Sequence, residues 1–322
     1  MQDAPTMILA DKKGAAYEFA ETIYEKLNSN NKRRHRYKLG HVDVEKFSDG
    51  EIYAEIKDSV RGRDCFFIQD SKMTPQDWLV SIGIVNDALM RSGAKTINDV
   101  LPYHKYMRQD RRAAPRSPIT AKVAADMIQT YGNSVITTDV HNAATESAYR
   151  IPFENLKAFS YIINQIKERH PDFLENTILM APDANSAKNT EIYARKLGVG
   201  MAIAHKVRDK SGIDSMTLIG NVKDKNVLIV DDMIDTGGTM RTAAEKIKEG
   251  GGRNIYACAT HGLFSGDARK AFEASELEKI IVTNSIPQKS AGKIEVVPLE
   301  GLFSEVIYRM SHGESISEMY QK

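Results

Sequence analysis

The stretch Val227-Leu228-Ile229-Val230-Asp231-Asp232-Met233-Ile234-Asp235-Thr236-Gly237-Gly238-Thr239 carries the most information in the chain. A short, fully apolar run enters two acids, a third acid, a Thr-Gly-Gly-Thr turn and then a helical pattern. An apolar strand of this kind is expected where helices cover both faces of a parallel sheet. The glycines can adopt φ > 0 and admit a ligand close to the backbone. The N–H groups of the turn, with a helix N-terminus behind them, suit a phosphate monoester. Thr236 and Thr239 add hydroxyl donors. Asp231 and Asp232 would repel a phosphate; they better suit ribose hydroxyls or a magnesium ion. Gly-Lys-Ser/Thr is missing, so this is not a Walker A loop. The stretch reads as a holder for a sugar phosphate.

On both sides of this stretch, apolar runs alternate with amphipathic helical patterns, the mark of parallel α/β architecture. Strands are expected at 65–68, 96–101, 134–138, 177–181, 200–205, 254–260 and 279–283. Between them, Phe19, Ile23 and Leu27 share one helix face, as do Trp78, Ile82, Val85 and Leu89. Further helices are expected at 119–131, around Ile162, Ile163 and Ile166, up to Leu197, and from the Thr239 turn to the stop at Gly250-Gly251-Gly252. Leu302, Val306 and Met310 mark a last helix. Lys32, Arg33, Arg34, Arg36 and Lys38 read as a solvated loop.

The chain has 322 residues, about twice a ~150-residue domain, so two domains are expected. The boundary is placed near 152–158, giving domains 1–155 and 156–322, with the option that the last helix packs on the N-terminal domain. At 42% apolar and 27% charged residues, the composition excludes collagen, disulfide scaffolds and wholesale disorder. Forty-four basic against 43 acidic side chains argue against a nucleic-acid coat. Cys65 and Cys258 sit in apolar runs and read as buried, reduced thiols. No apolar stretch reaches the ~18 residues of a membrane helix. The first residues lack a signal-peptide layout. A cytoplasmic protein without nucleic-acid or membrane partners is expected.

Ligands of open α/β sheets bind beyond the carboxyl ends of the strands. Asp139 and His141 follow one expected strand, Asp183 a second, Lys206 and Arg208 a third, and Asp231, Asp232 and Asp235 a fourth. Together they suggest a metal-assisted site for a phosphorylated substrate.

The segment 227–239 resembles the phosphoribosyl-pyrophosphate-binding motif of phosphoribosyltransferases and ribose-phosphate pyrophosphokinases. The rest of the chain resembles the second family. Phe47-Ser48-Asp49-Gly50-Glu51 is similar to its ATP loop, and Val60-Arg61-Gly62 follows. Tyr106-Met107-Arg108-Gln109-Asp110-Arg111-Arg112 and Pro118-Ile119-Thr120-Ala121-Lys122 flank its flexible basic loop. Asp139-Val140-His141, Ala181-Pro182-Asp183, His205-Lys206-Val207-Arg208, Ala259-Thr260-His261, Phe264-Ser265-Gly266 and Ser315-Ile316-Ser317 match in order.

The resemblance implies two tandem phosphoribosyltransferase-like domains, each a mostly parallel sheet flanked by helices. It implies transfer of the β,γ-diphosphoryl group of ATP to the 1-hydroxyl of ribose 5-phosphate, with AMP released. Lys206 and Arg208 would be catalytic. Phe47, Asp49, Glu51, Arg108, Gln109, Asp110 and His141 would bind ATP. Arg208, Asp231, Asp232, Asp235, Thr236, Gly237, Gly238 and Thr239 would bind ribose 5-phosphate. His141 and Asp183 would hold Mg²⁺. The nucleotide site of the family is shared between neighbouring subunits, implying a homo-oligomer, commonly a hexamer.

Some positions depart from the pattern. Asn185-Ser186 stands where Gly-Gly is usual and Asn189 where Arg is common. The segment after His141, NAATESAYR, differs, and the loop from Arg111 to Pro118 is slightly shorter. Weak phosphate activation and weak ADP inhibition are expected. Two alternatives stand beside the kinase: a non-catalytic, synthetase-associated regulatory paralogue, and a phosphoribosyltransferase.

Overall fold

The computed structural model describes residues 5–29, 37–208 and 214–320; at 206–208 and 214–215 it describes the backbone alone. The chain divides into two compact units. One holds the chain up to Leu156 together with everything from Leu299 on, and the other spans Lys157–Pro298.

In the first unit the elements follow as β1 (Thr6–Asp11), α1 (Tyr17–Ser29), β2 (Tyr37–Lys46), β3 (Ile52–Ile56), β4 (Asp64–Ile68), α2 (Pro75–Arg91), β5 (Thr96–Leu101), α3 (Thr120–Ile128), β6 (Ser134–Thr138), a 3-10 turn at Ala143–Ala148, and β7 (Phe153–Leu156). The second unit continues with α4 (Phe159–Arg169), α5 (Pro171–Leu174), β8 (Thr177–Ala181), α6 (Ala187–Leu197), β9 (Gly200–Arg208), β10 (Asp214–Ile219), β11 (Asn226–Ile234), α7 (Gly238–Glu249), β12 (Ile255–Gly262), α8 (Ala268–Glu273), β13 (Lys279–Thr283) and β14 (Ile294–Val297). The last helix, α9 (Glu300–His312), lies against α1 in the first unit, where Phe303 meets Phe19 edge-on with ring centroids 5.5 Å apart.

The first sheet is ordered β3-β2-β1-β4-β5-β6-β7, and only β2–β3 pair antiparallel. The second is ordered β10-β9-β8-β11-β12-β13-β14, antiparallel only at β9–β10. Matching β1 to β8 makes the two orders identical, so one topology is used twice. In each sheet the order reverses between two central strands, β1 and β4 or β8 and β11. That reversal opens the crevice in which α/β sheets bind ligands.

Strand β11 shows why these sheets form. Val227 and Ile229 join the core on one face of the second sheet, and Leu228 and Val230 join the core on the other. Side chains alternate across a strand, so a strand with helices on both faces must be apolar at every position. Each such fully buried side chain stabilises the fold by about 1.5–3 kcal/mol.

The structure differs from the sequence reading in several places. Strand β11 runs on to Ile234, so Asp231 and Asp232 lie within it rather than after it. Lys38 lies in β2, not in a loop, and its Nζ is 2.7 Å from Asp58; Lys32 to Arg36 lie outside the described residues. Strands β2 and β3 escape pattern reading because charged and polar residues interrupt both. Strands β7 and β14 have only four residues each, at sheet edges. Cys65 and Cys258 are free and buried. Burial pushes the Cys65 thiol up to about 12, so it stays protonated and unreactive.

One buried acid gives this fold a testable pH dependence. Asp99, in β5, is fully buried, and Asn86 Nδ2 donates to its Oδ2 at 2.9 Å. Oδ1 of both residues has no hydrogen-bond partner among the described residues. Desolvation by burial raises the Asp99 carboxyl from 3.8 to about 8, partly offset by the Asn86 bond. A raised acid means that the folded state binds more protons than the unfolded one between those values. Its contribution to stability is therefore full below about pH 4 and is lost as pH rises towards 8. Asp99→Asn should be more stable than the parent at pH 7.5 by at least about 1 kcal/mol, the difference vanishing near pH 4. Urea denaturation at the two pH values measures it; equal differences at both would contradict it.

Candidate active site

The second unit places its acids around the crevice between β8 and β11. Asp231 is pushed well above the usual carboxylate range, first by burial and then by the neighbouring charges of Asp232 and Asp183. The Asp232 N–H donates to Asp231 Oδ1 at 3.0 Å. Crowded carboxylates of this kind are relieved by a cation or by hydroxyl donors. Among the described residues, no group of three or more His, Cys, Asp or Glu side chains converges as a metal cage. Magnesium commonly takes one or two carboxylates and completes its shell with water and substrate phosphates. This donor set fits that habit.

Beyond β11 the chain turns into α7. Gly237, the residue before the helix, has φ 74°, and no side chain caps the helix N-terminus. The first-turn N–H groups thus face outward as anion donors, favoured by the helix dipole. Thr236 and Thr239 are exposed beside them. The loop is braced from behind: Ile234 carbonyl oxygen accepts from the Leu263 N–H at 2.8 Å, and Asp235 carbonyl oxygen from the Ser265 N–H at 3.2 Å. A Cβ on Gly237 would lie 2.0 Å from Phe272 Cζ, whereas one on Gly238 would meet nothing within 4 Å. The left-handed glycine is therefore Gly237 alone. Of the two glycines that the sequence allows to take φ > 0, Gly238 does not, because it already belongs to the helix.

The equivalent crevice of the first unit is closed by its own groups. Asp70, which follows β4, accepts from the Ala15 N–H at 2.7 Å and the Lys72 N–H at 2.8 Å. Helix α2 begins with Thr74, whose side chain accepts from the Asp77 N–H, and with a proline, which has no N–H to offer.

Other candidate residues of the first unit sit elsewhere on the same sheet. Phe47, Asp49 and Glu51 form the tip of the β2–β3 hairpin. The Phe47 N–H donates to the Glu51 carbonyl at 2.9 Å, the Glu51 N–H to Asp49 Oδ1 at 3.1 Å, and Gly50 takes φ 94°. The Phe47 ring is 56% exposed and leans on Tyr53, with centroids 5.9 Å apart, which presents an aromatic face to solvent. Lys46 Nζ ties the hairpin to α2 through Asp77 at 2.7 Å. Arg108, Gln109 and Asp110 follow β5, and His141 follows β6. Asn142 Nδ2 donates to Asp110 Oδ2 and so joins these two segments. Gln109 Oε1 accepts from Thr120 Oγ1 at 2.5 Å. The hairpin strand β2 stands three strand spacings from β5, about 14 Å, so the Phe47 group is set apart from the Arg108–His141 group.

A family model for the N-terminal domain of ribose phosphate pyrophosphokinase matches residues 11–132, and one for the phosphoribosyl synthetase-associated domain matches 206–321. The chain is 42% identical over 285 residues to ribose-phosphate pyrophosphokinase of Wolinella succinogenes, covering 88% of this chain and 91% of that protein. The chain belongs to the ribose-phosphate pyrophosphokinase family. It is also 36% identical over 308 residues to ribose-phosphate pyrophosphokinase 2 of Schizosaccharomyces pombe, covering 94% and 96% of the two chains. A crystal structure of phosphoribosylpyrophosphate synthetase from Mycobacterium smegmatis superposes with a TM-score of 0.86 at 28% identity, over 96% of this chain and 99% of that one. As in the name of this family, the chain is a transferase. The departure at Asn185-Ser186 leaves the turn after β8 intact. Both N–H groups donate to Asp183 Oδ1, at 2.8 and 2.9 Å, and the Ser186 hydroxyl adds a third donor at 3.0 Å. Backbone donors do this work, so glycine is not required there. Lys206 and Arg208 end β9, with Lys206 opposite Met216 and Arg208 opposite Asp214; their side chains lie outside the described residues. His141 belongs to the first unit and Asp183 to the second. Asn142 was not anticipated as a site residue, although an Asn that opens a turn by accepting from the N–H two residues on is a recognisable signal.

Proposed function

We propose that this chain transfers the β,γ-diphosphoryl group of ATP to the 1-hydroxyl of ribose 5-phosphate, giving phosphoribosyl pyrophosphate and AMP. The observation that carries this reading is the uncapped N-terminus of α7 directly beyond the Asp231–Asp232 pair. The 5-phosphate accepts hydrogen bonds from the Gly238 and Thr239 N–H groups and the Thr236 and Thr239 hydroxyls. The ribose hydroxyls donate to Asp231 and Asp232, which fixes the sugar. Diphosphoryl transfer needs in-line positioning and charge stabilisation more than covalent help. Lys206 and Arg208 supply positive charge against the negative charge of the transferred group in the transition state. Asp183 would help hold Mg²⁺, which would offset phosphate charge when bound, and His141 would contact the nucleotide. Arg108, Gln109 and Asp110 grip the nucleotide.

Phe47, Asp49 and Glu51, set apart on the β2–β3 hairpin, serve the nucleotide site of a neighbouring copy. An exposed apolar patch supports assembly: Val123 and Met127 lie four residues apart on α3, with Ile119 just before the helix and Tyr131 just beyond it also exposed. Patches of this kind mark interaction surfaces. No helix among the described residues is long and apolar enough to cross a membrane. Two free, buried thiols support the reading of a protein of a reducing, cytoplasmic compartment.

Incubation with ATP, Mg²⁺ and ribose 5-phosphate should release AMP only when the sugar phosphate is present. A phosphoribosyltransferase or a non-catalytic paralogue would release none, and that result would overturn the proposal.

A further inference from the structure

Tyr149 and His104 are 45 residues apart and both buried, and Tyr149 Oη is hydrogen-bonded to His104 Nε2. The other ring nitrogen, Nδ1, lies 2.8 Å from the Lys105 carbonyl oxygen. A carbonyl only accepts, so Nδ1 carries the proton and Nε2 accepts from the tyrosine hydroxyl. Trp78 and Phe153 pack against the imidazole, with centroids 5.3 and 6.2 Å away. Desolvation holds its pKa down to about 4, partly offset by the Lys105 bond, so the ring stays neutral near pH 7. The carbonyl it holds opens the turn that leads through Tyr106, at φ 67°, to Arg108, Gln109 and Asp110. Tyr149 closes the 3-10 turn that follows His141 and Asn142. Two links therefore join the same two segments: the solvent-exposed Asp110–Asn142 bond and the buried Tyr149–His104–Lys105 relay.

We propose that His104 and Tyr149 are positioning residues for ATP, setting the Arg108–Asp110 turn at a fixed distance from the segment after His141. This rests on the reading of that turn as the nucleotide grip. Tyr149→Phe keeps the ring and removes the donor, leaving Nε2 buried without a partner. His104→Phe with Tyr149→Phe removes both polar partners, which restores a matched apolar contact but not the hold on the Lys105 carbonyl. Steady-state kinetics, ATP titration by calorimetry and thermal melting of the three proteins test this. Expected are a KM and Kd for ATP raised about tenfold in both variants and a KM for ribose 5-phosphate unchanged. The melting temperature should be lowered in Tyr149→Phe and largely recovered in the double variant. A recovered melting temperature with ATP affinity recovered alongside it, or ATP constants within twofold of the parent, would reduce the pair to a structural role and overturn the proposal. Failure of the parent to make AMP would instead overturn the functional reading, and if the parent also failed to bind ATP the positioning role would fall with it.

Discussion

Gly237→Val should abolish measurable ribose 5-phosphate binding and lower stability by about 2–6 kcal/mol. The residue sits at φ 74°, where a β-branched side chain is strained by about 1–3 kcal/mol. Its Cβ would also fall 2.0 Å from the rim of the Phe272 ring. Phe272 is fully buried and packs edge-on against Phe264, with centroids 6.0 Å apart, so it cannot swing into solvent. Overpacking a core in this way typically costs about 1–3 kcal/mol more. The loop would have to move, and with it the first-turn N–H groups of α7. Gly238→Ala is the matched comparison, because its Cβ meets nothing within 4 Å and alanine suits a helix. Its stability should stay within about 1 kcal/mol of the parent. Chemical denaturation and calorimetry decide this. A folded Gly237→Val protein with unchanged sugar-phosphate affinity would remove this loop as the phosphate cradle.

Lys206→Ala should reduce kcat by about 10²–10³ while leaving the Kd for ribose 5-phosphate nearly unchanged. A cation that meets charge developing on the transferred group strengthens mainly in the transition state, and removal of one such group typically costs that much. Loss of uniform binding would instead raise KM at constant kcat. Turnover within a few-fold of the parent would take Lys206 out of the mechanism.

The parts of this fold legible in the sequence are those where one physical demand dominates. Val227 to Val230 had to be apolar at every position because a core lies on each side of β11. Helix α2 shows its buried face as Trp78, Ile82, Val85 and Leu89 because only that face meets the sheet. The β2–β3 hairpin was not legible as strands, because Lys38, Asp43 and Glu55 sit on it and pair across or beside the strands rather than alternate in and out. The acids at 231 and 232 were legible as a pair but not as strand residues, since burial at a ligand crevice overrides the usual exclusion of charge from strands. The left-handed role of Gly237 rather than Gly238 depended on Phe272, a tertiary neighbour 35 positions away. The His104–Tyr149 contact was invisible for the same reason.

Diphosphoryl transfer is defined by which phosphorus atoms leave ATP. Phosphorus NMR of the reaction with ATP, Mg²⁺ and ribose 5-phosphate should show AMP and a sugar product carrying a diphosphate at carbon 1, in equal amounts. Formation of ADP with a sugar bearing a single new phosphate, or of inorganic phosphate alone, would contradict diphosphoryl transfer by this chain.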